Sequence, residues 1–341
     1  MKSSGKLIKF GATVLIAALA LSMPPAAKGG KLGSDIIAMF PKGVGEFAYA
    51  DLKKARTLKW FPQLQQQLLP EKFREFEKFL AAAGVDPNTQ VDELAWGLVP
   101  EGMSEKAEGV GSEAVPTGEQ VVGIALGTYD PGSTEAYFTQ QKLPTFKVRS
   151  LTMYSFGSGS GPNDLFFLFI DSNTAAFGHR ALLEKMVEVR YGGDAGLASS
   201  DNFYSLINEA NGSGVVWAVL NPAYTRLAMK QLAPEVGQFP ETAKLVARMQ
   251  NMVINVDASS SIDGKFQAVC GSTDDANTLG QLLQMGLMYK QYQTKSDNPD
   301  MAQLLSQARI TPSGDRVAIS MTISDDQMTS LIQKKTFSLK M

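Results

Sequence analysis

Apolar and polar residues alternate with a period of two over residues 45–50, where Phe47 and Tyr49 interleave with Glu46, Ala48 and Ala50. That is the pattern of a β-strand. Asp51 ends the run, and its carboxylate is suited to accept an orphan backbone N–H at the start of a helix. A second version of the stretch, Val215 to Asn221, lies 170 residues further on. In that register Phe47 matches Trp217, Ala48 matches Ala218, Asp51 matches Asn221 and Arg56 matches Arg226. Helical spacing follows the first copy: Trp60, Phe61, Leu64 and Leu68, with Pro62 in a first turn, then Phe73, Phe76, Leu80 and Ala83, ended by Gly84. An aromatic stripe at that spacing reads as the core face of amphipathic helices.

Further along, Val122, Ile124 and Leu126 mark a strand over 121–127, and Asp130-Pro131 supplies a cap and a first helical residue. Strands over 148–156 and 165–170 are joined by the Gly/Ser run Gly157 to Asp164, and a strand over 174–178 leads into a helix opened by His179. The second copy, strand 215–220, is followed by Asn221-Pro222 and helices around 222–231 and 240–250. A hairpin pairs 252–258 with 262–270, and a long helix covers 275–293. One stripe of that helix holds Leu279, Leu282, Leu283 and Gly286, another Met285, Met288, Tyr289 and Tyr292, which predicts a helix sandwiched between layers with both stripes in the core, or else one with a flexible partner-binding face. A helix beginning at Asn298-Pro299, a hairpin turning at Pro312-Ser313-Gly314 and a helix capped by Ser324 with Gln327 close the chain.

Gly271-Ser272-Thr273-Asp274 matches Gly127-Thr128-Tyr129-Asp130 at an offset of 144, which aligns Phe266, Ala268 and Cys270 with Val122, Ile124 and Leu126 and turns Cys270 inward. Two matches in the same order imply an internal duplication. The expected fold is α+β: two related halves, 44–210 and 211–341, each a mostly antiparallel sheet packed with helices. Residues 30–43 read as a linker and an extended lead-in. Glu101, Glu105, Glu108, Glu113 and Glu119, set among glycines, predict a mobile acidic loop over 101–119.

The N-terminus predicts an export signal over 1–29. Lys2, Lys6 and Lys9 precede the uncharged run Phe10 to Met23, Pro24-Pro25 breaks it, and Ala27-Lys28-Gly29 offers small residues for cleavage. The run is short for a span of about 20 residues, so an uncleaved anchor is the lesser expectation. No cysteine follows it for lipid attachment, and no Arg-Arg pair precedes it, which points to the general secretory route. Location is therefore periplasmic or extracellular.

Charge changes the picture little. Four lysines give residues 1–29 a charge of +4, so a net charge of −2 leaves −6 on the body. That body has no basic stripe for nucleic acid or an anionic membrane. With one histidine, His179, and one cysteine, Cys270, there is no intramolecular disulfide and no Cys/His zinc cage, and no cofactor is expected. Gly157-Ser158-Gly159 opens like a dinucleotide fingerprint, but a strand follows where a helix is needed. His179 has no Gly-x-Ser-x-Gly elbow to serve, and Cys270 reads as a small apolar residue. Asn211-Gly212-Ser213 fits a glycosylation sequon.

An Asp-terminated early strand followed by Gly84-Val85-Asp86-Pro87, and Gly196 to Asp201 leading into Phe203 and a strand ending at Asn221, resemble a family of uncharacterised exported bacterial proteins over roughly residues 40–225. The resemblance implies location and fold but no reaction. The function expected is that of a non-catalytic exported binding or envelope-associated protein, whose partner is a protein or a small apolar ligand. One alternative is an exported hydrolase assembled from strand-end carboxylates, Asp51, Asp130, Asp257 and Asp274. Another is a carrier with an apolar pocket between the halves, lined by Trp217, Met285, Met288 and Tyr289.

Overall fold

The structure is a computed structural model that describes residues 30–68, 71–103, 116–232, 240–258, 261–297 and 299–333. The first half runs α1 (Ser34–Ala38), β1 (Glu46–Asp51), α2 (Leu52–Ala55), α3 (Phe61–Leu68), α4 (Glu71–Ala82) and α5 (Pro87–Gln90). It continues with β2 (Val91–Met103), β3 (Pro116–Gly127), α6 (Pro131–Gln140), β4 (Thr145–Val148), β5 (Leu151–Ser155), β6 (Leu165–Phe169), β7 (Thr174–His179), α7 (Arg180–Arg190) and α8 (Asp201–Ala210). The second half runs β8 (Val216–Leu220), α9 (Pro222–Leu232), α10 (Pro240–Arg248), β9 (Asn251–Ala258), β10 (Ser261–Val269) and α11 (Thr273–Asp297). It ends with α12 (Pro299–Gln307), β11 (Arg309–Ser313), β12 (Arg316–Ser324) and α13 (Asp325–Gln333).

All the strands join one 12-stranded antiparallel sheet in the order β11-β12-β10-β9-β8-β1-β2-β3-β7-β6-β5-β4. The fold is α+β. The halves meet where β1 pairs with β8, Ala48 opposite Ala218, Phe47 opposite Val219 and Tyr49 opposite Trp217. Phe47 and Trp217 are the matched residues of the two copies, and each faces the residue two positions beyond the other, Val219 and Tyr49, as in a two-fold contact. Outward from this seam the path is the same on both sides: β1-β2-β3-β7-β6 against β8-β9-β10-β12-β11. The caps agree as well. Lys54 N–H donates to Asp51 Oδ1 at 2.8 Å, and Tyr224 N–H to Asn221 Oδ1 at 3.1 Å.

Following the ladders from Ala48 and Ala218 puts Gly123 level with Phe266, whereas the Gly-to-Asp motif match puts it level with Gln267. That match is thus one residue out. A one-residue slip exchanges the faces of a strand, and Cys270 accordingly shares a cluster with Ala268 while Val122 and Ile124 lie in the opposite one. Ser272, not Asp274, caps α11, its Oγ accepting from Asp275 N–H at 3.1 Å.

One sheet face is covered by α2, α3, α9, α11, α12 and α13 around Ala48, Trp96 and Ala218, and continues through Leu94 and Phe177 into the cluster of Phe138 and Phe167. The other face packs α1, α7 and α8 on Phe47, Tyr49 and Trp217. The correspondence between halves stops at the closing helices, since α7 and α13 lie on opposite faces. Nor are the halves separable cores: Trp60 Nε1 donates to Asp325 Oδ1 at 3.2 Å across them, and α8 packs on β8 and β9.

Two sequence expectations change. Residues 30–43 are not a linker but carry α1, with Leu32, Ile37 and Phe40 buried in the second face. The acidic loop is shorter than 101–119, because β2 and β3 continue through the pairs Pro100–Glu119, Gly102–Gly118 and Met103–Pro116, with bulges. Main-chain ladder bonds hold there although the apolar alternation of a strand is lost. Glu105, Glu108 and Glu113 lie outside the described residues, as do the side chains of Leu68, Phe73 and Phe76.

Trp217 is fully buried, with Phe47 at 5.6 Å and Tyr49 at 5.4 Å between ring centroids, both stacked. Trp217→Ala should lower stability by about 3–5 kcal/mol. Because the sheet and cores are shared, urea titrations followed by fluorescence and by far-UV circular dichroism should move together as one transition.

Candidate functional site

The carboxylates with catalytic potential are mostly committed to local structure. Asp130 Oδ2 accepts from Ser133 Oγ at 2.6 Å and Oδ1 from Ser133 N–H at 3.2 Å, which holds its pKa below the usual range. Asp51 caps α2, and Asp257 lies 3.9 Å from Lys54 Nζ. Asp274 sits in the first turn of α11. Asp130 and Asp274 follow β3 and β10, and four strands separate these two in the sheet. At about 4.8 Å per strand they stand some ~24 Å apart, far beyond the separation glycoside chemistry uses. The four acids do not converge as a group: Asp51 and Asp257 end β1 and β9 on either side of β8, and they are engaged by the Lys54 main-chain N–H and ammonium respectively.

Buried polar groups are likewise structural. Val121 N–H donates to His179 Nδ1 at 2.9 Å, and burial lowers the imidazole pKa, so the ring is neutral. Burial, with Asp275 and Asp315 nearby, pushes the Cys270 thiol up to about 11. Glu46 is fully buried near Tyr224, whose pKa is raised by burial and then by Glu119 and Glu46. No open space serves this cluster: a Cβ on Gly45 would come within 2.5 Å of the Tyr224 ring. Asn211 spends its amide on the backbone of Leu32, accepting its N–H at 3.0 Å and donating to its carbonyl at 2.9 Å, so the sequon nitrogen is in use. Among the described residues no group of three or more His, Cys, Asp or Glu side chains is placed to hold a metal ion. No described helix is long and apolar enough to cross a membrane.

The four residues expected to line a pocket are not brought together. Trp217 lies inside the core on the α1/α7/α8 face, whereas α11 packs on the opposite face through Ala276 and Leu279. Met285, Met288 and Tyr289 are 54%, 58% and 64% exposed, and Tyr292 is 81% exposed. Beyond Gly280 the rest of α11 has no buried residue on its described surface. Its outer stripe is the largest apolar display on a single helix among the described residues.

A cleft of ≈ 370 Å3 lies elsewhere, between the C-terminal ends of α1 and α7, lined by Asp35, Ala38, Met39, Val189, Arg190 and Tyr191. Arg190 Nη1 donates to Met39 Sδ at 3.5 Å, and the Arg149 guanidinium stands 5.1 Å from the Tyr191 ring centre while holding Glu188 in two bonds of 3.0 and 2.6 Å. A guanidinium, a carboxylate and a phenol ring can grip a small polar molecule, but the lining offers no nucleophile with a base beside it. Sequence reasoning missed this cleft because α1 has only five residues and Arg190-Tyr191 merely close a helix.

No protein-family model and no curated protein matches the chain. Among solved structures, crystal form I of TP0453 has a TM-score of 0.49 at 12% identity, covering 90% of this chain and 99% of that one. Crystal form III has the same score and identity over 89% and 99%, and form IV scores 0.46 over 88% and 97%.

His179 generates a pH prediction. Its folded pKa lies below the ordinary 6.5, so the stability gained from the neutral ring is complete above that value and is lost as pH falls through it toward the folded pKa. His179→Gln should flatten the fall in stability as pH drops below 6.5, read by urea denaturation at a series of pH values. Cys270 should resist iodoacetamide at pH 8 in the native protein and react at once in denaturant.

Proposed function

We propose that the protein is an exported, non-catalytic binding or envelope-associated protein that meets its partner through the outer stripe of α11. The single observation that carries this reading is the exposure of Met285, Met288, Tyr289 and Tyr292 on one helix while the acids and the histidine are committed to caps and structural bonds. Thioethers adapt their shape to varied apolar surfaces, and tyrosine adds contact area with a polar tip. A contiguous apolar display of this kind marks an interaction site. An apolar protein surface is the favoured partner, and a small apolar ligand is the alternative outcome. Export is supported by the tripartite leader over 1–29 and by the resemblance over roughly residues 40–225 to exported proteins.

Replacing Met285, Met288 and Tyr289 together by serine should leave the unfolding midpoint nearly unchanged, since exposed substitutions cost within about 0.5 kcal/mol each. The same variant should lose the fluorescence enhancement of a hydrophobic dye and should form no cross-links from a photoreactive residue at position 292. Retention of both would remove α11 from the reading. Hydrolysis of an ester, peptide or glycoside that Arg190→Ala abolished would overturn the non-catalytic part.

A further inference from the structure

Gly30, the first described residue, is held against the end of β1. Its N–H donates to Asp51 Oδ2 at 3.2 Å. Two residues on, Leu32 is 1% exposed and bonded on both sides of its peptide group to Asn211. Only glycine fits at position 30, because a Cβ there would stand 2.1 Å from Tyr49 Oη and 3.0 Å from Asp51 Oδ2.

The carboxylates around this backbone nitrogen are arranged unfavourably. Asp51 and Glu93 are direct partners in the β1/β2 ladder, so both side chains project from the same face. Like charges placed directly opposite each other destabilise a sheet. The cations nearby are directed elsewhere: Lys53 and Arg56 pair with Asp92, both at 3.2 Å, and Lys54 approaches Asp257. Tyr49 Oη donates to Glu93 Oε2 at 3.0 Å, which places Glu93 one hydrogen bond from the position Gly30 occupies. Burial raises the Glu93 pKa, with further contributions from Asp51 and Asp92 working against the Tyr49 hydrogen bond and a smaller lowering by Lys53. Lys53 is itself bonded to Asp92, and among the described residues no cation forms an ion pair with Asp51 or Glu93 at the point where the main-chain nitrogen of Gly30 sits.

We propose that Gly30 is the mature N-terminus, and that its α-ammonium is the counter-ion of Asp51 and Glu93. The processing step is hydrolysis of the Gly29–Gly30 amide by a leader peptidase. Water adds across the C–N bond, Gly29 leaves as a carboxylate, and the nitrogen of Gly30 takes the protons to become an ammonium. Cleavage thereby converts a neutral N–H donor beside two acids into a charged one, and charge-assisted hydrogen bonds are the stronger kind. Export processing and consolidation of the central strands become one event. The inference rests on the export reading above, with its leader over 1–29, and adds to it what the new terminus does.

The test begins with the full precursor, expressed with its own leader in an exporting bacterial host and examined by intact mass and N-terminal sequencing. A mature chain beginning at Gly30 is expected. A cut at another bond sinks this inference and leaves export standing, whereas full-length uncut protein sinks both. The charge is tested by Glu93→Gln in the same precursor, because the glutamine oxygen can still accept from Tyr49 Oη, whereas an asparagine at position 51 would set an NH2 against the N–H of Gly30 or Lys54. With an ammonium at Gly30, Glu93→Gln should lower the unfolding temperature of the mature protein by about 2–4 °C. With only an amide there, removing one of two opposed charges raises the midpoint or leaves it unchanged, and that result overturns the proposal.

Discussion

The pairing of β1 with β8 is the contact on which the other elements depend. It joins the two ladders into one sheet, and it does so with small residues on one face and large rings on the other. Ala48 and Ala218 face each other under α9 and its neighbours, while Phe47, Tyr49 and Trp217 stack on the reverse. Both faces of both strands are buried, so neither strand can shift register without moving aromatic rings into spaces shaped for alanine. The helices of either half then need only cover what this seam presents.

Much of this was legible in the chain because strand alternation and helix caps are local signals. Asp51 and Asn221 were readable as caps, and Ser324 with Gln327 forms the reciprocal capping box its spacing suggests, with bonds of 3.0 and 3.2 Å. The alignment of Gly271–Asp274 with Gly127–Asp130 slipped because the turn into α11 places its cap at Ser272, two residues before the aspartate. Short turn motifs vary in length where ladders do not. Residues 36–40 are apolar in a run too brief to separate strand from helix, and glycines among glutamates masked the extended pairing of β2 and β3. No local signal records which face a closing helix takes, and α7 and α13 take opposite ones.

For the candidate site, the stripe of α11 reads in sequence as core, but it is exposed because the helix runs past the residues that pack on it, and the pocket reading joined it to Trp217, which belongs to the other face of the sheet. Two apolar features along a chain say nothing about sharing a wall until the sheet between them is placed. The same holds for the acids. Asp51 and Asp130 were recognisable as caps, whereas the opposition of Asp51 and Glu93 arises only from ladder register. Function here is thus read from what remains unspent after packing and capping, and that remainder is a face of one helix and the end of one strand.

An open sheet of this width has two borders, and their composition bears on whether other chains can pair with them. One border is β4, four residues long and bearing Lys147. The other is β11, five residues long with Arg309 at its start and Pro312 within it. Proline has no N–H to offer a neighbouring strand, a charge resists burial, and a strand this short gives an incoming chain few bonds. The molecule therefore carries its longest strands inside and closes its margins with residues that discourage edge-to-edge polymerisation.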